Sequence, residues 1–273
     1  MIVDTHVHVV SGDRATYPVL AQAPDWPVTE IAPLAKGMDA AGVQRAVLVQ
    51  TFFTYGTDNR YMIDAAATDR RRFATVAVID QLAAAAPDVL SELVHEQGVR
   101  GVRFMPKGLP PGALWDERSF PVWERAGALG IPITIAAERE HLPHMAAVVA
   151  RFPQVNVAFE HMWGLELGVP PYAPLAEICA FARFPNVYLK LCPNNSHMLR
   201  ESKGSARRFF GTLIENFGIK RMMWGSNYPA HAHKYGNYRS RLAIMQEDFA
   251  IFSAEEQRWF FGETALSLWP ELR

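Results

Sequence analysis

The sequence predicts an α/β protein built as one (β/α)8 TIM barrel, a single domain over residues 1–273. Three observations lead there. Eight short apolar runs alternate with helix-like segments, which calls for parallel strands joined by right-handed crossovers. No linker divides the chain, and 273 residues is close to the length at which eight such units close a barrel. The end of the first strand carries histidines where a doubly wound sheet would place a glycine-rich phosphate loop.

The first strand is Ile2-Val3-Asp4-Thr5-His6-Val7-His8. Residues i and i+2 of a strand share a face, so His6 and His8 project together, close enough to share one ion or one substrate, with Asp4 on the same side. The segment Ser11 to Thr29, with Tyr17, Trp26 and three prolines, is too long for a tight turn and too aromatic for a floppy linker. It is expected to cover part of a site. A helix over 31–41 stops at Gly42, and 45–50 is the second strand. Next come helix 59–68 and strand 73–79. Helix 87–96 has proline near its start and Gly98 beyond its end, as capping favours. Strand 99–104, helix 120–129 with Gly130 as its stop, and strand 131–137 follow. Helix 141–152, strand 155–161, helix 175–184 and strand 187–192 continue the alternation. Helix 205–217 leads to the eighth strand, 221–224. Helices 239–252 and 254–268 end the chain, the second with Trp259, Phe260 and Leu266 on an apolar side.

A hydrophobic content of 49% supports a substantial core, and a net charge of -1 argues against a general nucleic-acid binder. The two cysteines, Cys179 and Cys192, make neither a disulfide framework nor a zinc-finger spacing. No apolar run approaches the roughly 20 residues needed to cross a bilayer. A strand starting at Ile2 leaves no room for a signal peptide, so a cytoplasmic location is expected.

In such a barrel the active site lies where the strands end. Strand one delivers His6 and His8. Strand four delivers Arg103, followed by Met105 and Lys107. Strand five delivers Glu138, strand six Glu160 and His161, strand seven Lys190, and strand eight Ser226, Asn227 and Tyr228. Parity sorts several of these. Ile133, Ile135 and Ala137 form the apolar, helix-facing set of strand five, which turns Thr134, Ala136 and Glu138 inward. Val187, Leu189 and Leu191 do the same on strand seven, so Lys190 points into the barrel. A buried ammonium there needs a carboxylate, with Asp4 and Glu138 available, or a substrate anion. The planar fork of Arg103 suits a substrate carboxylate and equally a structural ion pair. Glu160, of opposite parity to His161, is expected to face away. His231 and His233 repeat the i, i+2 spacing in a loop and read as surface or pocket-lining residues. His95, His144 and His197 are given no role.

Five segments match a known pattern in order: Asp4-Thr5-His6-Val7-His8, Gly101-Val102-Arg103-Phe104, His161, Asn186-Val187-Tyr188-Leu189-Lys190-Leu191 and Trp224-Gly225-Ser226-Asn227-Tyr228-Pro229. Together they resemble the amidohydrolase superfamily, in its "amidohydrolase 2" branch of metal-dependent TIM-barrel hydrolases. That branch includes lactonases of sugar lactones, 2-pyrone-4,6-dicarboxylate and sulfomuconolactone. The likeness runs from Met1 to about Phe261-Gly262-Glu263-Thr264-Ala265.

The resemblance implies a hydrolase that opens a lactone or related ester of a small carboxylic acid. It implies a divalent ion such as zinc or manganese on His6, His8 and His161, with Asn227 as a weak fourth ligand. Arg103, Lys190 and Tyr228 would hold the carboxylate substrate. Two positions depart from the pattern. Strand five offers Ala136-Ala137-Glu138 where the wider superfamily has a metal-binding histidine. Asn227 stands where the best-studied members carry an aspartate that shuttles protons. An amide cannot take a proton from water at neutral pH, which passes the role of base to Glu138 or His161. The branch also implies a metal-independent route in which the histidines polarise the carbonyl directly. Two other functions stay open: a decarboxylase or hydratase of an aromatic-catabolism acid, and a degenerate barrel that binds a small acid without turnover. Neither nucleic acid nor membrane is expected as a partner, and self-association into a homo-oligomer is allowed.

Overall fold

Each apolar run forms a strand: β1 (Val3–Val7), β2 (Arg45–Val49), β3 (Phe73–Val78), β4 (Val102–Phe104), β5 (Ile133–Ile135), β6 (Val157–Glu160), β7 (Val187–Leu191) and β8 (Met222–Trp224). The computed structural model describes residues 1–106, 109, 112–136, 138–162 and 173–273. The strands pair in parallel in their sequence order. At the seam, Asn227 N–H donates to the His6 carbonyl and His8 N–H to the Tyr228 carbonyl, both at 2.7 Å, which brings the ring to near closure. This is the (β/α)8 barrel.

Apolar residues on both faces of these strands follow from burial on both sides. Outward residues such as Ala46, Leu48, Val102, Phe104, Ile133 and Ile135 pack beneath the helices. Inward residues Val3, Val47, Val49, Ala74, Val76, Ala158 and Met223 fill the floor, where they meet Trp269. Trp269 is fully buried and its indole N–H donates to the Arg100 carbonyl at 3.1 Å. The C-terminal segment thus plugs the barrel from below.

β1 is irregular where it matters. Asp4 pairs with Ala46 and Val7 with Leu48, so three steps on β1 match two on β2. Such a bulge costs a ladder bond and re-aims side chains. Asp4 Oδ1 accepts the His6 N–H at 3.0 Å and the Ser226 N–H at 2.8 Å, while Oδ2 accepts the Tyr238 hydroxyl at 2.8 Å. Asp4 therefore stitches β1 to the exit of β8. Gly225 completes the fit, since a Cβ there would stand 2.7 Å from the His6 Cβ.

Several expected helices differ in detail. The helix expected over 254–268 is two short α-segments, Ala254–Arg258 and Thr264–Leu268, joined by a π-turn over Trp259–Glu263. The one expected over 175–184 begins as Ala173–Cys179 and tightens to a 3-10 turn over Ala180–Arg183. Helix Pro193–Glu201 was not expected, because its polar start reads as loop. Asn195 holds that start by accepting the Cys192 N–H at 2.9 Å. Lys107 and Ala137 lie outside the described residues.

Candidate active site at the strand ends

His6 and His8 leave β1 on one side, with their Nε2 atoms 3.2 Å apart and their rings perpendicular. His8 Nδ1 lies 2.7 Å from the Val49 carbonyl, which makes Nδ1 the protonated nitrogen and leaves Nε2 a bare lone pair. The His161 ring stands 4.3 Å from that of His6, edge to face. The imidazoles at the ends of β1 and β6 thus converge.

Glu160 joins them, contrary to the expectation that it faces away. His161 takes a left-handed backbone with φ 59°, so the strand's alternation ends at Glu160 and both side chains enter the barrel mouth. Glu160 Oε2 accepts from Arg103 Nε at 2.9 Å, with Nη2 2.7 Å away in the same ion pair, and Oε1 lies 3.5 Å from His6 Nδ1. Burial opposes its ionisation, yet Arg103 and Lys190 hold the carboxyl at about 2. Arg103 also donates through Nη1 to the Gln50 carbonyl at 3.1 Å, so most of its fork is committed to the protein.

The histidine ligand set carries a conflict of its own. If His6 Nε2 carries the proton, it satisfies His8, but His6 Nδ1 then faces Glu160 Oε1 as lone pair to lone pair. If His6 Nδ1 carries it, the two Nε2 lone pairs oppose each other. His6 Nδ1, Glu160 Oε1 and both ring nitrogens of His161 are buried without a hydrogen-bond partner. A second proton on His6 is disfavoured, because burial and then the neighbouring His161 and His8 push its pKa well below the ordinary value. Burial holds His8 and His161 at about 3. Neutral imidazoles, each with one bare ring nitrogen, sealed beside the ionised Glu160 carboxylate want a cation. The Nε2 spacing of 3.2 Å compares with the roughly 3.3 Å between two nitrogens on one tetrahedral zinc at about 2.0–2.1 Å. His6, Glu160 and His161 also offer ligand atoms within 4.8 Å of one another. The donor set fits a divalent metal, with Glu160 able to receive the outer N–H of a coordinating His6.

These groups open into a cavity of about 260 Å³. Its walls include His8, Arg103, His161, Asn194, Asn227 and His231, with Trp26, Phe53, Met162 and Met198 as the apolar side. Trp26, from the aromatic segment after β1, lies over His8 with ring centroids 5.3 Å apart. Asn227 has φ 52° and its side chain bonds to His8. The loop carrying it is gripped from behind by Arg241, fully buried on helix Tyr238–Phe249, which donates to the carbonyls of Ser226, Asn227 and Ala230 at 3.1, 2.8 and 2.6 Å.

The other expected site residues lie elsewhere. Lys190 does point into the barrel, but its ammonium sits in the floor, donating to the Thr5 carbonyl at 3.0 Å and lying 5.0 Å from the Trp269 ring centre. Its expected carboxylate partner is replaced by a carbonyl and an indole face, and burial lowers its pKa to about 8. Glu138 lines a wider groove of about 810 Å³ with Arg139, Glu177 and Arg183. The chain leaves the sheet after Ile135, so parity does not carry as far as Glu138. That groove is larger than the cavity but holds none of the clustered histidines. Tyr228 turns to a third groove, where it packs edge-on against Tyr238. Three more went unnoticed in the sequence: Arg241, because a charged residue on a helix reads as solvent-facing, and Asn194 and Asn195, because their segment reads as loop; the Asn195 amide donates to the His161 carbonyl at 2.8 Å.

A family model described as amidohydrolase matches residues 3–270. The chain belongs to the amidohydrolase family. It is similar to the L-fucono-1,5-lactonase of Burkholderia ambifaria, with 26% identity over 222 residues that cover 76% of this chain and 73% of the lactonase. The probable 2-pyrone-4,6-dicarboxylic acid hydrolase of Acinetobacter baumannii, crystallised with citric acid, has the same fold: TM-score 0.79, 18% identity, 98% of this chain and 99% of that one. So does an amidohydrolase of Burkholderia multivorans with bound zinc: TM-score 0.77, 20% identity, 99% of each chain. This amidohydrolase is an enzyme of that superfamily. Among its described residues, no helix is long and apolar enough to cross a membrane.

Proposed function

We propose that this amidohydrolase opens a lactone of a small acid in the cavity above His6, His8 and His161, with a divalent metal held by these three side chains. The observation that carries the reading is the set of sealed lone pairs at the barrel mouth. The lactonase and pyrone-dicarboxylic acid hydrolase relatives support the reaction class, and the zinc-bound relative supports the metal. When bound, zinc or manganese would polarise the ester carbonyl and acidify water.

The chain's own residues supply the rest. Glu160, fixed by Arg103, sets the tautomer of His6. The N–H groups of Arg103 left over from Glu160 and Gln50 face the cavity as donors for a substrate oxygen. Asn227 orients His8 and offers an amide to the substrate. Trp26, Phe53, Met162 and Met198 exclude water from one face of the ring. A volume of about 260 Å³ is at the small end for ligand sites and suits one monocyclic molecule.

Purification without chelator followed by metal analysis should find about one equivalent of zinc or manganese. A panel of sugar and carboxylated lactones should release acid in a pH-stat with no carbon dioxide. Release of carbon dioxide from an aromatic acid would replace hydrolysis by decarboxylation. Tight carboxylate binding with no turnover of any lactone would make the barrel a binder.

A further inference from the structure

The loop after β8 brings one more imidazole to the cavity. His231 lines the same space as His8, His161, Asn194 and Asn227. It sits four residues beyond Asn227, and Arg241 anchors the carbonyls on either side of that interval. Its backbone is left-handed at φ 53°, a conformation that Asn, Asp and His adopt more readily than other side chains, and its ring packs edge-on against Tyr235 at 5.9 Å. Unlike His6, His8 and His161, it is exposed to solvent on one side, so it can exchange protons with bulk water.

We propose that His231 is the general base of the hydrolysis, taking the proton that the Asn227 amide cannot take. This rests on the lactone reading above. The oxygen of a water in the cavity bonds to the ester carbonyl carbon as the His231 imidazole removes one of its protons. The bond from that carbon to the ring oxygen then breaks, and His231 returns the proton to the departing oxygen. One water is consumed, a hydroxy acid is formed, and His231 ends as it began; the new carboxylic acid gives its proton to solvent. Asn194 Oδ1, buried without a partner on the same cavity, is an acceptor able to orient that water.

The groups facing His231 are His233, Lys234, Tyr235 and Arg241. Partial burial and then His233, Arg241 and Lys234 push its pKa below the ordinary histidine value, which leaves it neutral and able to accept a proton at pH 7.

The test is His231→Asn, a substitution that suits the left-handed backbone. With the best lactone of the panel, kcat should fall about a hundredfold or more while KM stays within about twofold, and the acid limb of the pH profile should disappear. Adding Asn227→Asp to His231→Asn should recover at least about tenfold of the lost rate, because a carboxylate then supplies the missing base. His95→Asn, at an exposed position on the helix Ala86–His95, should leave the rate unchanged. In the unmodified enzyme, the ring NMR resonance absent from His231→Asn should titrate below the ordinary value and move when the released hydroxy acid is added. If the native enzyme hydrolyses lactones and His231→Asn keeps its rate and acid limb, or if that resonance ignores the hydroxy acid, His231 is not the base and the lactone reading stands. If the native enzyme hydrolyses no lactone, both fall together.

Discussion

The floor and the mouth of this barrel are made by the same eight strands, yet they treat polar atoms in opposite ways. In the floor, the Lys190 ammonium is bonded to the Thr5 carbonyl and covered by the Trp269 ring, and apolar residues pack around it. At the mouth, His6, His161 and Glu160 keep atoms buried and unpartnered. Buried polar groups in a folded protein are nearly always satisfied, so orphans gathered around one cavity mark the place where the fold is waiting for something else. The floor holds the barrel together; the mouth gives up stability for chemistry.

The strongest way to break this contrast is to remove a mouth histidine. His161→Ala should lower kcat about a thousandfold, reflecting several kcal/mol of lost transition-state stabilisation, and reduce the bound metal toward zero. With both proteins stripped of metal, its Tm should hold or rise slightly, since two orphaned nitrogens go with the ring. A large fall in Tm would mean that the mouth stabilises the fold after all. Trp269→Ala tests the floor and should do the reverse, costing about 3–5 kcal/mol of stability by denaturant titration while kcat of the folded fraction is kept.

Acidity and alkalinity should separate the two regions. His8 and His161 are held at about 3 and His6 well below its ordinary value, so the unfolded chain binds protons there before the native one does. Stability from the mouth is therefore present above about pH 6.5 and lost as pH falls below it, with Glu160 adding loss below about pH 4.5. Lys190, lowered to about 8, works at the other end: stability should rise as pH climbs from about 8 to about 10.4, where only the unfolded chain still holds that proton. Thermal melts across pH 5–10 read both windows, and Lys190→Met should flatten the alkaline one alone. A Tm flat from pH 7 to 5 would show that one of the clustered imidazoles already carries its proton in the fold. The smallest effect is expected at the wall: Trp26→Ala should raise KM roughly fivefold, about 1 kcal/mol, with no change in Tm. A fall in kcat instead would give Trp26 a part in the chemistry.

How much of this was legible from the chain alone varied with local geometry. All eight strands were legible, because alternation of apolar runs with capped helices leaves few topologies, and so was the convergence of His6, His8 and His161 on strand ends. Parity worked inside strands and failed at and beyond their ends. It placed Lys190 inside the barrel, but misdirected Glu160, because the backbone turns left-handed at His161, and Glu138, because the sheet has already ended at Ile135. The partner of Lys190 could not be read at all: a carbonyl and a distant indole leave no mark in a pattern of charges. Arg241 was hidden for a related reason, since a guanidinium on a helix looks solvent-facing until the loop it holds is known.

Arg241 also bears on how such an enzyme can change. It fastens the β8 loop by main-chain carbonyls, which every residue type possesses, and it is absent from the cavity wall. The side chains displayed on that loop can therefore be exchanged while their mounting stays put. An aspartate can give way to an asparagine at 227 and an imidazole can arrive at 231 without disturbing the anchorage, so new reactivity can be tried on this segment at little risk to folding.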